Sequence, residues 1–323
     1  MNMCTAINVK FKDTYFGRNL DLDYLFDAKV VIVPRNYKIS FKKEESIYVH
    51  YAMMGVGIVI DDYPLFADVI NEKGLSIAGL NFPFNAKYYK FDANKKNFAT
   101  YELVLYLLAT CKNITEVKHT LKKINVLDED FSPSIKLTPL HFLISDVNSS
   151  IVLETTSEGM KIYDNKFNIL TNNPPFKYQL EYLSSFDKLT NQSLDPKSIS
   201  LSSQAFYSYG SGGYGLPGDY SSASRFIKAN FVKNYLVPSN EELENVRSFF
   251  SVLDSVYMPY GSIKTPLGYE HTRYTTCYNT SRGILYYKTY ENPNINEILM
   301  SKYNLDNSSL TLVDFNKHFD PLN

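Results

Sequence analysis

Tryptophan is absent from this 323-residue chain, and its three cysteines, Cys4, Cys111 and Cys277, are too few and too unevenly spaced to indicate a disulfide framework or a zinc site. No stretch approaches about 18 uninterrupted apolar residues, and the first residues lack the regions of a signal peptide, so the cytoplasm is the expected location. The 33 Lys and Arg nearly balance the 34 Asp and Glu, without a basic cluster. We therefore expect neither a nucleic acid nor a membrane as partner, but a small molecule.

The pattern of apolar and turn residues predicts two sheets between helical layers. Strands are predicted at residues 4–9, 15–18, 47–53, 55–60, 66–70, 75–80, 141–145, 150–155, 161–164, 167–171, 273–280, 283–290 and 310–314. Helices are predicted at residues 100–110, 115–124, 176–186, 222–235 and 241–256. This order fits an α+β protein in which two antiparallel sheets are stacked between helices, an αββα sandwich. No linker divides the chain, so residues 4–323 are expected to form a single domain.

Cys4 is the first candidate for chemistry. If residues 1–3 are removed, Cys4 carries both a thiol and a free α-amine, so that nucleophile and general base belong to one residue. An α-amine with a pKa of about 7.7–8.0 can accept the proton of a thiol with a pKa of about 8.5, whereas a lysine with a pKa of about 10.4 stays protonated. The alternative is that Cys4 is a small apolar residue starting a buried strand.

Nine short motifs, taken in order along the chain, resemble those of the choloylglycine hydrolase family. They are Cys4-Thr5-Ala6, Gly17-Arg18-Asn19-Leu20-Asp21, Pro34-Arg35-Asn36-Tyr37, Asp61-Asp62-Tyr63-Pro64, Asn71-Glu72-Lys73-Gly74-Leu75, Gly79-Leu80-Asn81-Phe82-Pro83, Leu170-Thr171-Asn172-Asn173-Pro174, Gly215-Leu216-Pro217-Gly218-Asp219 and Ala223-Ser224-Arg225-Phe226. No single motif is specific, but nine in the same order are.

The resemblance implies an N-terminal nucleophile hydrolase with the αββα fold. Such an enzyme cleaves the amide between an acyl group and a small amine or amino acid, through a thioester and without a metal or an organic cofactor. By position in the motifs, Cys4 would be the nucleophile, while Arg18 and Asp21 would hold the cysteine and its α-amine. Asn172 would donate a hydrogen bond to the oxyanion, and Arg225 would complete the polar cluster, although either arginine could instead form a structural ion pair.

The choice of substrate within the family depends on Asn81. Bile salt hydrolases typically carry asparagine at this position and penicillin V acylases commonly carry tyrosine, so a glycine- or taurine-conjugated bile salt is the expected substrate and penicillin V the alternative. The resemblance also implies a steroid pocket lined by Leu20, Phe26, Ile60, Phe131 and Ile135. The glycine-rich loop 207–220 resembles the segment that packs subunits into a homotetramer.

Two other interpretations remain open. Family members usually begin Met-Cys, whereas Met1-Asn2-Met3 precede Cys4 here. If these residues persisted, the chain would be a catalytically silent protein that binds amphiphiles. A papain-type hydrolase would instead pair the cysteine with one of the histidines His50, His119, His141, His271 and His318. None of these lies in a family-like context, and His141, at the head of an apolar strand, is predicted to be structural.

Overall fold

The computed structural model describes residues 3–24, 26–193 and 209–316. The strands are β1 (Met3–Lys10), β2 (Thr14–Leu22), β3 (Lys29–Val33), β4 (Met53–Ile60), β5 (Tyr63–Asn71), β6 (Ser76–Asn81), β7 (Lys96–Phe98), β8 (Ile124–Val126), β9 (Leu140–Ser145), β10 (Ser150–Thr156), β11 (Gly159–Asp164), β12 (Ile169–Leu170), β13 (Ile263–Thr265), β14 (Gly268–Asn279), β15 (Ile284–Thr289), β16 (Asn296–Leu299) and β17 (Thr311–Val313). The helices are α1 (Thr100–Thr110), α2 (Ile114–Leu121), α3 (Phe176–Ser184), α4 (Ser222–Asn234) and α5 (Glu242–Asp254).

Two large antiparallel sheets form the centre of the molecule. Sheet 1 has the strand order β12-β1-β2-β14-β15-β16, with β13 paired to β14, and sheet 2 has the order β11-β10-β9-β6-β5-β4-β3-β17. Strands β1 and β2 of sheet 1 pack on β6 of sheet 2, while α4 and α5 cover the other face of sheet 1. Helices α1 and α2 form a second apolar core with the outer face of sheet 2. The predicted αββα sandwich is therefore confirmed.

Most predicted elements are present, with two clear differences. Helix α1 has the predicted bounds, and the predicted hairpin between β5 and β6 turns at Gly74, which adopts φ +86°. The strand predicted at 47–53 is wrong: β4 begins only at Met53, and Ile47 forms an isolated bridge with Ile39. The middle of this segment lies on the surface instead, where the exposed fractions of Tyr48 and Val49 are 60% and 76%. The helix predicted at 115–124 is too long, because Ile124 already belongs to β8.

Strand β2 determines where the polar residues of the site lie. All nine of its residues are buried, because β2 runs through the middle of sheet 1 between β1 and β14, with sheet 2 on one face and α5 on the other. Arg18 points to sheet 2, where it reaches backbone carbonyls of β5 and β6, and Asn19 points to α5, where it donates to Leu253 O at 2.9 Å. Within the described residues, no helix is long and apolar enough to cross a membrane.

Candidate active site

Cys4 lies near the start of β1, at the interface between the two sheets. Its exposed fraction is 2%, and the antiparallel register sets it opposite Leu20 and sets Met3 opposite Asp21. Met3 precedes it in the same strand, so the Cys4 nitrogen is a peptide nitrogen here, and it donates to Asn172 Oδ1 at 2.7 Å. Pairing of β1 with β2 thus brings the predicted nucleophile beside two of the predicted polar residues, Arg18 and Asp21.

Arg225 connects these strands to helix α4. Its Nη1 donates to Cys4 O at 2.5 Å and to Thr5 Oγ1 at 2.6 Å, and its Nη2 donates to Asn172 Oδ1 at 2.8 Å. The Asn172 oxygen therefore accepts from both the Cys4 nitrogen and Arg225, while Asn172 Nδ2 donates to Asn81 O at 2.8 Å. Residues from β1, β6, α4 and the chain after β12 are therefore joined in one hydrogen-bonded network that includes Cys4.

Arg18 is fully buried between the sheets. Its Nη1 donates to Ala67 O at 2.9 Å and to Gly79 O at 2.6 Å, whereas its Nη2 has no hydrogen-bond partner among the residues described. Burial alone would lower the pKa of Arg18, but negative charge on Cys4, Tyr274, Asp68 and Asp21 would raise it, and the net effect is a rise. The guanidinium therefore remains charged next to the cysteine.

Asp21 lies on the same face of β2 as Asn19, two residues before it, and therefore on the face opposite to Arg18. Its Oδ1 accepts from Thr272 Oγ1 at 2.6 Å, but its Oδ2, although buried, has no partner in the described part of the chain. Burial raises the pKa of Asp21 to about 6, while Arg225, the bond from Thr272 and Arg18 act in the opposite direction. Asp21 is thus a carboxylate with one oxygen available to a positively charged group.

Glu270 was not predicted from the sequence. It lies on β14 with an exposed fraction of 1%, and its Oε1 accepts from the backbone nitrogen of Met3. Burial, with smaller contributions from the neighbouring Asp21 and Asp23, raises the pKa of Glu270 to about 7, although the hydrogen bond from Met3 acts in the opposite direction. Nothing in the sequence around Glu270 indicates its contact with Met3, because the two residues are 267 positions apart along the chain.

Beside Cys4 lies a cavity of about 330 Å³, bordered by the two sheets, by α1 and by the loop before β9, and its volume is within the usual range for small-molecule sites. Four of the five residues predicted for the pocket line it, as do Cys4, Arg18 and Asn81; the four are Leu20, Phe26, Phe131 and Ile135. Ile60 is not among the lining residues, because it lies next to the turn at the end of β4, and Ile58 lines the cavity instead. The wall also includes Leu22, Tyr24, Leu65, Phe66, Tyr101, Val104, Leu137 and Leu140. The cavity is mainly apolar.

The histidines of the described residues make no hydrogen bond to Cys4. His50 contacts the backbone oxygens of Tyr37 and Tyr51, and His271 contacts the backbone oxygen of Tyr269. His141 lies between Glu154 and Thr171 O, as expected for a structural residue. His318 lies outside the described residues. The geometry around Cys4 therefore does not support a papain-type pair of cysteine and histidine.

Comparison with known proteins agrees with this geometry. The sequence model of the linear amide C–N hydrolases, choloylglycine hydrolase family, matches residues 4–313. The bile salt hydrolase/transferase of Lactiplantibacillus plantarum is 42% identical over 95% of this chain and 95% of its own length. The corresponding protein of Clostridium perfringens is 38% identical over 98% of each chain.

Solved structures give the same result. A mutant of the conjugated bile acid hydrolase from Clostridium perfringens superposes with a TM-score of 0.91 at 37% identity, covering 99% of this chain and 100% of that chain. The penicillin V acylase of Agrobacterium tumefaciens shares the fold, with a TM-score of 0.73 at 21% identity over 97% of this chain and 91% of its own. The chain belongs to the choloylglycine hydrolase family of linear amide C–N hydrolases.

Proposed function

We propose that this chain hydrolyses the amide bond of glycine- or taurine-conjugated bile salts, with Cys4 as the nucleophile. The observation that carries the proposal is that Cys4, together with Arg18 and Asn81, lines a mainly apolar cavity of about 330 Å³. A ligand with an apolar steroid body and a polar amide matches a mainly apolar wall that carries polar groups beside the nucleophile. The relatives that are 42% and 38% identical are named bile salt hydrolase/transferase.

The mechanism requires a chain that begins at Cys4. While Met3 is attached, the Cys4 nitrogen is an amide and cannot act as a base, so we propose that residues 1–3 are removed and that residues 4–323 form the enzyme. The new α-amine would retain Asn172 Oδ1 as an acceptor, 2.7 Å from the nitrogen. The second oxygen of Asp21, on the neighbouring strand, would be available to the α-ammonium that forms when the thiol gives up its proton.

The chemistry then follows in two steps. The thiolate of Cys4 attacks the amide carbon, the C–N bond breaks as the α-ammonium returns its proton to the leaving amine, and a thioester remains. Water, deprotonated by the same α-amine, then attacks the thioester, and the carboxylic acid and the thiol are released. Each step passes through an oxyanion, for which Asn172 and Asn81, joined by the 2.8 Å bond from Asn172 Nδ2 to Asn81 O, are the proposed donors.

Two alternatives are separated by one assay. Phenoxymethylpenicillin is the second candidate substrate. It ranks below the bile salts because the likeness to penicillin V acylase, at 21% identity, extends to the fold alone. A silent amphiphile-binding protein would retain residues 1–3 and release no amine. Intact mass, alkylation by iodoacetamide and amine release from taurocholate, glycocholate and phenoxymethylpenicillin should therefore be measured on one preparation.

We expect a chain starting at Cys4 that is alkylated once and loses activity on both bile salts. Replacement Cys4→Ala should abolish amine release, whereas Cys111→Ala, which alters a buried cysteine in the α1–α2 layer, should not. Activity on the penicillin without activity on the bile salts would reject the proposed substrate. A full-length chain that releases no amine from any of the three would reject the proposed enzyme.

We further propose a cytoplasmic homotetramer. Loop 207–220 carries the resemblance to the tetramer-forming segment, and its described part exposes Tyr209 and Tyr214 by 78% and 86%. Residues 207 and 208 lie outside the described residues. Large exposed aromatic side chains are typical of surfaces that become buried between subunits. Sedimentation velocity at micromolar concentration should give a species of about four chains, and Tyr209→Ser with Tyr214→Ser should lower that mass.

A further inference from the structure

His141 is fully buried near the strand end that leads to Asn172, and the reaction outlined above gives it no role. Its Nε2 lies 2.7 Å from Thr171 O, which can only accept, so Nε2 carries hydrogen and donates to that carbonyl. Its Nδ1 lies 3.2 Å from Glu154 Oε1, which also accepts from Phe176 N at 2.8 Å. The imidazole is therefore held at both ring nitrogens.

The bond to Thr171 fixes the backbone on one side of Asn172. On the other side, Gln179 Nε2 donates to Asn172 O at 2.6 Å and to Pro174 O at 2.9 Å. The carbonyls of the two peptide planes that flank the Asn172 Cα are thus both bonded by buried side chains. Because these planes define φ and ψ of Asn172, they also set the direction in which its side chain leaves the backbone.

The same imidazole also contacts a neighbour of the second asparagine, Asn81. Its ring stacks on Phe82, with 4.2 Å between ring centroids and 7° between ring planes, and Phe82 directly follows Asn81. His141 is also paired with Leu80, directly before Asn81, in the register of β6 and β9. One side chain therefore contacts the residue before Asn172 and the residue after Asn81.

We propose that His141, oriented by Glu154, is a positioning residue that holds Asn172 and Asn81 at the geometry that binds the oxyanion. The inference rests on the proposed function, because it concerns the oxyanion of that hydrolysis. Such a residue acts only in steps that form an oxyanion. Alkylation of Cys4 by iodoacetamide forms none: the thiolate bonds to the methylene carbon, and iodide leaves. Alkylation therefore reports on the nucleophile and its α-amine in a reaction that forms no oxyanion.

The test compares wild type with His141→Phe, which retains a ring against Phe82 but loses the donor, and His141→Gln, which retains an N–H donor. We expect kcat for taurocholate to fall about 10- to 100-fold in His141→Phe, since small displacements of catalytic groups have effects of this size. KM and the alkylation rate constant should stay within about twofold of wild type. His141→Gln should recover part of kcat. His50→Gln, at a buried histidine held by two other carbonyls, is the control and should leave kcat unchanged.

The outcomes separate the inference from the function. If wild type cleaves taurocholate and a folded His141→Phe has the wild-type kcat, the inference is wrong and the proposed function stands. An equal loss of kcat and alkylation rate would indicate a structural role and would also overturn it. If His141→Phe does not fold, His141→Gln is compared with and without Asn172→Ser: a kcat loss that disappears in the Asn172→Ser background supports positioning, and any other result rejects it. A wild type that cleaves no bile salt rejects both.

Discussion

At the scale of single residues, the neighbours of Cys4 act on its thiol in opposite directions. Burial raises the pKa of the Cys4 thiol, Arg18 lowers it, Asp21 raises it, and a hydrogen bond from the Asp21 backbone and the charge of Arg225 lower it again. The net effect in the chain that carries Met3 is a raised pKa. The two guanidinium groups and the Asp21 backbone bond therefore oppose the effect of burial and bring the pKa of the thiol closer to neutral pH.

Replacing Arg18 tests this balance. Arg18→Met removes the guanidinium charge and should therefore raise the pKa of the Cys4 thiol by roughly one unit or more, as expected for the loss of a nearby opposite charge. The pH midpoint of the iodoacetamide reaction should move upward accordingly. Arg35→Met is the matched control, because Arg35 pairs with Glu72 and Asp306 near the surface and should leave the midpoint unchanged. An unchanged midpoint in Arg18→Met would show that the charge of Arg18 does not control the pKa of the thiol.

Asp21 should determine the acidic side of the activity profile. Its pKa is raised to about 6, and protonation removes the negative charge that would stabilise the α-ammonium, so activity should fall as pH decreases. An α-ammonium beside it would lower this pKa, and we therefore expect the midpoint at or below about pH 6. The measurement is kcat/KM for taurocholate from pH 4 to 8, because its sulfonate does not titrate there. A flat profile down to pH 4 would contradict the role of Asp21.

At the scale of elements, local sequence predicts helices and hairpins better than strands with buried polar residues. The prediction for β2 stopped at Arg18, whereas the strand continues to Leu22. Asn19 can continue a strand because Thr275 Oγ1 donates to its Oδ1 at 2.8 Å and its own amide donates to α5. The Thr275 partner lies 256 residues away in sequence. Such tertiary contacts outweigh local propensity and cannot be inferred from a single sequence.

In the candidate site, too, the residues in local motifs were predicted and those that depend on distant contacts were not. The motifs were sufficient to group Cys4, Arg18, Asp21, Asn172 and Arg225, and the structure brings these residues together. The residues missed were those that act through distant contacts, such as Glu270 beside Met3 and Thr272 beside Asp21. Glutamate and threonine in a long strand carry no local signal of function, so only the fold reveals them.

Strand β2 also requires a glycine before Arg18. A Cβ at Gly17 would lie 2.0 Å from Thr276 O, a backbone atom of β14 that cannot move away by rotating a side chain. Gly17→Ala should therefore separate β2 from β14 and lower the free energy of unfolding by roughly 1–3 kcal/mol or more. Gly218→Ala is the control, because a Cβ there meets nothing within 4 Å. Urea denaturation of both variants tests this, and equal midpoints would show that β2 adjusts without strain.

At the scale of the whole molecule, the site and the contact between the sheets share their residues. Asp68 on β5 accepts hydrogen bonds from Tyr274 at 2.7 Å, Thr276 at 3.0 Å and Tyr278 at 2.8 Å, all on β14 of the other sheet. Arg18 crosses the same interface in the opposite direction, to Ala67 O beside Asp68. These buried polar contacts fix the relative position of the sheets, and with it the distance between the nucleophile on sheet 1 and the cavity wall on sheet 2.

The burial of Glu270 makes the stability of the fold depend on pH. Its pKa is about 7 in the folded chain, against 4.5 for an ordinary glutamate. The contribution of protonated Glu270 to the free energy of unfolding is therefore fully present below about pH 4.5 and is lost as pH rises through about 7. Glu270→Gln retains a side-chain oxygen that can accept a hydrogen bond but cannot ionise. The free energy of unfolding of this variant, relative to that of wild type, should increase by on the order of 2 kcal/mol from pH 5 to pH 8. Urea midpoints at the two pH values give the measurement, and Glu297→Gln, at an exposed position on β16, is the control. A Glu270→Gln variant whose stability follows that of wild type at both pH values would mean that Glu270 ionises as readily in the folded chain as in the unfolded one.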